Sequence, residues 1–383
     1  MAQIQTLFDD LQATADRQGA PAVFNQLVEH LRRERQYHEL FDARLMEARH
    51  KLGLPVIMTT PLDELAEPAR THMEESYLSA CREVGGLLLD EGRVREAWMY
   101  LRPVGDRQAV AAALEKIPRD TENYEEIIEV ALYEGACPRL GFEYVLAHYG
   151  TCNSITLYDS QMHGRPKADR QEVAALLVRH LHGELLANVR ADIARREGSE
   201  PEGATLAELA ASRPWLFEND NYHVDTTHLA AVVRFALACD DPDVLRTALD
   251  LTEYGRRLSH QYQFPGQEPF ADTYPAHALF FQGVLGENAD AAVDYFRQKA
   301  QAAEEAGAGE VLVGLLARSG RAREAFEASV EFLRPDTRVS GFAPSMLELA
   351  RRAGCYDRLI AACRERDDAL GFAAGLVERG RGQ

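Results

Sequence analysis

Apolar residues recur at three- and four-residue spacing along nearly the whole chain, and this period constrains the fold more than any other feature. Ile4, Leu7, Phe8 and Leu11 share one helical face, as do Phe24, Leu27, Val28 and Leu31. The alternation of a half-buried strand is scarce. Punctuation agrees with helices: Pro21 and Pro68 stand near starts, Gly53 and Pro55 follow a stop, and Gly92 and Gly135 fall between helical runs. The pattern predicts roughly 18 to 20 helices with short connections, hence an all-α bundle or an α-solenoid.

The C-terminal third favours the solenoid. Gly286, Gly320 and Gly354 are spaced by 34 residues, each between two helical runs where a left-handed capping glycine is needed. Around Gly320 the chain reads VLVGLLARSGRAREAFEASVEFLRP, with a small residue, Ala325, five positions past the glycine. Ala291 holds that place after Gly286, and Leu359 after Gly354. An out-of-phase copy, EVGGLLLDEGRVREAWMYL, has Gly92 as the turn, Ala97 as the small residue and Gly85 where helices cross.

These segments resemble the tetratricopeptide repeat, whose period is 34 residues. The resemblance covers 272–368 and 77–104, about a third of the chain, and the aromatic and glycine signature of the first repeat helix is missing at 275–279 and 309–313. It implies a right-handed superhelix of antiparallel helix pairs with a concave face that holds peptides. The expected architecture is an all-α, tetratricopeptide-like solenoid with long ordered loops in its centre. An N-terminal helical-hairpin region (1–136), a central region rich in histidine and aromatics (137–271) and C-terminal repeats (272–383) would form one continuous solenoid.

Composition excludes several classes of function. In 383 residues, 42 Lys and Arg stand against 61 Asp and Glu, a net charge of −19, with no segregated basic run to meet a phosphate backbone. Nucleic acid is therefore not an expected partner, and an anionic membrane surface offers such a chain nothing. No apolar stretch approaches the 18 residues of a membrane span. The start, MAQIQTLFDDLQATADR, lacks the basic-then-apolar order of a secretory signal. Six dispersed cysteines without a CxxC pair read as reduced thiols, and the expected location is the cytoplasm.

The stretch 137–277 holds eight of the twelve histidines, where even spreading would place roughly four. It also contains two long connections, GSEPEGATLAELAASRPWLFENDNYH and QYQFPGQEPFADTYPAH. Trp215, Phe217, Tyr222, Tyr262, Phe264, Phe270 and Tyr274 argue that these are ordered loops.

Four segments could carry chemistry. In WLFENDNYHVDTTHLAAVVRFALAC, a helix should start near Thr226 with Asp225 or Thr226 as N-cap, and His228 should point with the apolar stripe of Val232, Phe235 and Cys239. His223, Asp225 and His228 together are a ligand set for Zn²⁺ or non-haem Fe²⁺. The plainer reading makes Asp225 a cap, His223 a loop residue and His228 a core histidine. In the helix near 170–197, Glu184, Asn188 and Asp192 are four apart and should fall within the arc of Ala174, Leu177, Leu181 and Leu185, with His182 at its flank. Buried polar groups need donors, a cation or a wet cavity; otherwise the stripe is exposed near the helix end. In LAHYGTCNSITLYD, Gly150 should turn the chain and Asn153 or Ser154 cap the next helix, placing Cys152 near a helix N-terminus four residues after His148. Finally, Arg256 could bind a carboxylate or phosphate, and Tyr274 and His277 share a face of the helix that opens the repeats.

Two functions are compatible with these readings. One is a small-molecule site in the central region, with His223, Asp225 and His228 on a metal. His182, Glu184, Tyr274 and His277 would do the chemistry, and His148, Asn153, Asn188, Asp192, Tyr222 and Arg256 would hold the substrate; if an enzyme, it would be a metal-dependent hydrolase or a non-haem iron oxygenase. The other is a scaffold that holds a peptide or partner protein in its concave groove. No GxGxxG, GxxxxGK[ST], HExxH or GxSxG occurs.

Overall fold

A computed structural model describes residues 2–57, 61–118, 122–303, 307–333 and 341–381. Among the described residues there are helices and turns but no strand. The chain forms two compact units, Met1–Gly150 and Thr151–Gln383.

The first unit contains α1 (Ala2–Gln18), α2 (Ala20–Arg33), α3 (Tyr37–Lys51), α4 (Ala69–Asp90), α5 (Val94–Val104), α6 (Arg107–Leu114) and α7 (Tyr124–Ile128). α8 (Pro138–Gln161) is broken at Gly150, whose φ of +79° and ψ of 179° only glycine adopts readily, and its two parts belong to different units. Helices adjacent in sequence, α1 to α5, pack on one another. The face of α2 read from the sequence is buried at Phe24, Val28 and Leu31. At the α4–α5 crossing, Gly85 lets Leu101 approach so closely that an added Cβ would lie 2.5 Å from its Cγ, and Ala97 is fully buried beside it. Gly85 of EVGGLLLDEGRVREAWMYL is thus a point of close helix approach, and Ala97 is a buried small residue.

The second unit continues with α9 (Lys167–Glu197), α10 (Leu206–Ala211), α11 (Thr226–Phe235), α12 (Pro242–Gly255), α13 (Thr273–Leu285), α14 (Ala289–Ala302), α15 (Gly307–Arg318), α16 (Ala322–Phe332), α17 (Met346–Ala353), α18 (Tyr356–Glu365) and α19 (Ala369–Arg381). Long α9 packs on α10, α11 and α12, and from α11 to α19 each helix packs on its chain neighbour. Gly286, Gly320 and Gly354 all have left-handed φ, +79°, +80° and +64°, and end helices as expected.

The 34-residue glycine spacing nevertheless misreads one register. After Gly320 and Gly354 one residue precedes the next helix, whereas after Gly286 both Glu287 and Asn288 do, Asn288 at φ 52°. The close-packed residue is consequently Ala292, fully buried and 2.7 Å from where a Cβ on Gly283 would lie, while Ala291 is exposed. Among the described residues no helix is long and apolar enough to cross a membrane.

Candidate functional site

A cavity of about 940 Å³ in the second unit is walled by α11, α13, α15 and the loop between α12 and α13. Asp225 caps α11: its Oδ1 accepts Thr227 N at 2.8 Å and His228 N at 3.3 Å. That start turns Leu229, Val232 and Val233 into the core and leaves Thr227, Ala230, Ala231 and Arg234 to face the cavity. Two alanines at the middle of this wall leave volume that larger residues would fill.

The loop forming the opposite wall is held shut on itself. Gly266 N donates to Ala271 O at 3.0 Å and Phe270 N to Gln267 O at 2.8 Å. Chain approach is so tight here that a Cβ on Gly266 would sit 2.2 Å from the Phe270 carbonyl oxygen. Gln263 Nε2 donates to Leu258 O at 2.7 Å and Thr273 Oγ1 to Phe264 O at 2.6 Å, which fastens the loop to the ends of both flanking helices. Lys299 reaches Glu268 at 3.0 Å. Phe270 then enters an aromatic cluster with Phe280 and Phe296, centroids 6.0 and 5.3 Å away.

His277 is a buried polar residue of the cavity lining. It is 3% exposed and lies stacked on Phe270, centroids 4.3 Å apart at 27°. Its Nδ1 donates to the Thr273 carbonyl at 2.5 Å, and its Nε2 is buried without a hydrogen-bond partner. Burial pushes the imidazole pKa down to about 4, assisted by the charge of Arg234 and opposed by the Thr273 carbonyl. The ring is therefore neutral at pH 7, with its proton on Nδ1 and a lone pair on Nε2. A base of that pKa is poorly matched to proton transfer near neutrality, whereas the lone pair is a fixed acceptor in an apolar setting. From α15, Glu310 brings a carboxylate whose Oε1 accepts Phe342 N at 2.8 Å, so Phe342 is held against the same cavity.

The remaining sequence candidates occupy other contacts. Asp192, His223 and Tyr254 form a chain: His223 Nε2 is 3.3 Å from Asp192 Oδ2, its Nδ1 is 2.8 Å from Tyr254 Oη, and its backbone N–H donates to the same hydroxyl at 3.0 Å. A carboxylate only accepts, so Nε2 carries the proton and Nδ1 accepts from the tyrosine. Asn188 Nδ2 donates to His223 O at 2.9 Å. Tyr222 is half-exposed and meets Tyr262 edge-on at 5.1 Å. His182 Nε2 lies 2.7 Å from Asp250 Oδ2.

Arg256 pairs with Glu253 at 2.9 Å on the surface of α12. Tyr274 is buried, its ring filling the space left by Gly255 and its hydroxyl unpartnered. In the first unit, His148 stacks on Tyr124 at 3.8 Å and 7°. In the second unit, Cys152 and Asn153 are exposed.

Two expectations are corrected, and a third meets competing contacts. Among the described residues no three His, Cys, Asp or Glu side chains are placed to hold an ion, the set His223, Asp225 and His228 included. The reason is local: both ring nitrogens of His223 are taken by Asp192 and Tyr254, and Asp225 is the helix cap. Glu184, Asn188 and Asp192 are not in the buried arc. Val173, Leu177, Leu181, Leu185, Val189 and Ile193 are, and each polar residue precedes one of these by a single position, about 100° around the helix; Glu184 and Asn188 are exposed and Asp192 half-exposed. The helix after Gly150 resumes at once, so neither Asn153 nor Ser154 is its cap.

The cavity itself was only partly foreseen, through His277 and the loop aromatics Phe264 and Phe270. Arg234 and Glu310 were missed. Glu310 had a signal, as a lone acid in the apolar run GAGEVLVGLL. No protein-family model, curated protein or solved structure matches the chain.

Proposed function

We propose that the second unit is a binding module for a small apolar molecule that carries a hydroxyl or amine hydrogen. The observation that carries this reading is His277, a lining residue of the cavity of about 940 Å³ whose buried Nε2 has no hydrogen-bond partner among the described residues. Buried polar atoms are nearly always paired, and one left without a partner beside a cavity is a place where a small shift of the ring would let a bound molecule supply the missing donor. The size and lining suit a drug-sized ligand. The depressed basicity of His277 favours recognition over proton transfer, which weighs against an enzyme working through this residue.

The test uses two probes that differ by one hydrogen-bond donor, 4-pentylphenol and its methyl ether. Calorimetric titration should show saturable binding of the phenol about tenfold tighter than the ether, the worth of one hydrogen bond in a desolvated site. His277→Phe should abolish that preference. Absence of saturable binding of both probes would reject the reading.

We infer further that α13 to α19 are degenerate tetratricopeptide-like repeats. Consecutive helix packing, the three left-handed glycines and the Gly283–Ala292 approach support this. A scaffold role draws on a different observation: α17 and α19 border an apolar groove of about 670 Å³ in which Leu370 and Val377 are 84% and 58% exposed. Leu370→Asp and Val377→Asp would weaken a protein partner's binding without altering that of 4-pentylphenol.

A further inference from the structure

A second, smaller cavity of about 160 Å³ adjoins the first and shares Arg234, Leu237 and Phe342 with it. Its lining gathers Lys167, Arg170, Arg234 and Arg318, together with His163, in a chain whose net charge is −19. Four cationic side chains meeting at one small cavity of so acidic a protein run against the average charge of its surface.

Among the described residues the neighbouring carboxylates do not balance them. Asp159 pairs with Arg234 at 2.9 Å. Asp240 is shared by Lys167 at 2.8 Å and Arg318 at 2.9 Å, and Arg318 also donates to the carbonyls of Leu237 and Cys239. Two carboxylates thus serve three cations, and Arg170 pairs with none among the described residues. Its Nε is buried without any acceptor. A guanidinium presents a planar fork of N–H donors matched to carboxylate or phosphate oxygens, and Arg170 lines this cavity with no ion-pair partner among the described residues. The space is equivalent to about five water molecules, enough for a carboxylate or a phosphate and too small for a nucleotide.

We propose that this cavity is an oxyanion subsite, and that the natural ligand is an amphiphile whose apolar body fills the larger cavity while its carboxylate or phosphate head meets Arg170 and Arg234. The inference rests on the reading of the larger cavity as a binding site for apolar molecules. Arg234 lies on both linings and joins the two parts of one site.

The experiment titrates the full chain with decanoate, decyl phosphate and methyl decanoate, which share an apolar chain and differ in charge. The anions should bind at least tenfold more tightly than the ester, and inorganic phosphate should compete with them and not with the ester. Raising the salt concentration should weaken the anions alone. Arg170→Met should erase most of the preference while ester affinity stays unchanged. Arg234→Gln, at a side chain 52% exposed and therefore removable without unfolding, should reduce it as well. The tighter of the two anions identifies the head group. Equal affinity of anions and ester would overturn the subsite and leave the apolar cavity standing. Failure of all three to bind would overturn both.

Discussion

His182 and Asp250, 68 residues apart, meet through a 2.7 Å contact between Nε2 and Oδ2. The same carboxylate accepts Leu206 N at 2.8 Å and Ala207 N at 2.9 Å, so one side chain joins α9 to α12 and holds the first turn of α10. Burial alone would raise the pKa of Asp250; the bonds from His182 and from the two backbone amides more than offset this and hold it below the ordinary carboxylate value. His182, a candidate for chemistry in the sequence, is tied through this carboxylate to α10 and α12.

Asp250→Ala should therefore destabilise the protein by about 3 kcal/mol, because three donors lose their acceptor at a buried position. Asp250→Asn, which keeps one acceptor oxygen, should cost less than half as much. Urea denaturation monitored by circular dichroism measures both. Equal, small losses would show that the contact contributes nothing to stability.

His223→Ala removes the link between Asp192 and Tyr254 and leaves the tyrosine hydroxyl, 1% exposed as a residue, without a partner for its proton. The expected loss is about 1 to 2 kcal/mol. Elemental analysis of wild type and variant should show the same zinc and iron content, because neither ring nitrogen is open to an ion. Metal lost with the side chain would refute this account of His223.

Gly266→Ala should be among the most damaging changes in the loop. Its Cβ would sit 2.2 Å from the Phe270 carbonyl, and backbone cannot yield as a flexible side chain does. Overpacking of this kind costs about 1 to 3 kcal/mol. Limited proteolysis should cut the variant within the loop between α12 and α13, and 4-pentylphenol should bind at least tenfold more weakly. Unaltered cleavage and affinity would mean that the loop does not shape the cavity.

Helix type and positions were legible because period and punctuation are local properties. Asp225 as a cap and the left-handed glycines at 286, 320 and 354 follow from rules of a few residues. What failed needed a third dimension. The exposure of Glu184 and Asn188 turned on a rotation of about 100° around α9, within the error of placing an arc from sequence. His223 finds Asp192 and Tyr254, each 31 residues away, so no spacing rule connects them. Arg170, Arg234 and Arg318 lie on three helices and read singly as surface charge. His277 was visible as a candidate, but its open nitrogen depends on Phe270 and the Thr273 carbonyl closing around the rest of the ring.

That closure gives His277 a signature in the pH dependence of stability. The unfolded histidine titrates near 6.5 and the folded one near 4. Between these values the unfolded chain binds the extra proton, so stability rises with pH across the window and falls as the solution is acidified from 6.5 towards 4. The full effect is about 3 kcal/mol, of which about 2 kcal/mol is already lost at pH 5. Other groups titrate in the same range, so the measurement is a double difference: urea denaturation of wild type and His277→Leu at pH 7 and at pH 5. Wild type should lose about 2 kcal/mol more than the variant on acidification. Equal losses would show that the folded protein protonates His277 freely, and a ring that takes up a proton so readily could not be the dry, neutral acceptor on which ligand recognition depends.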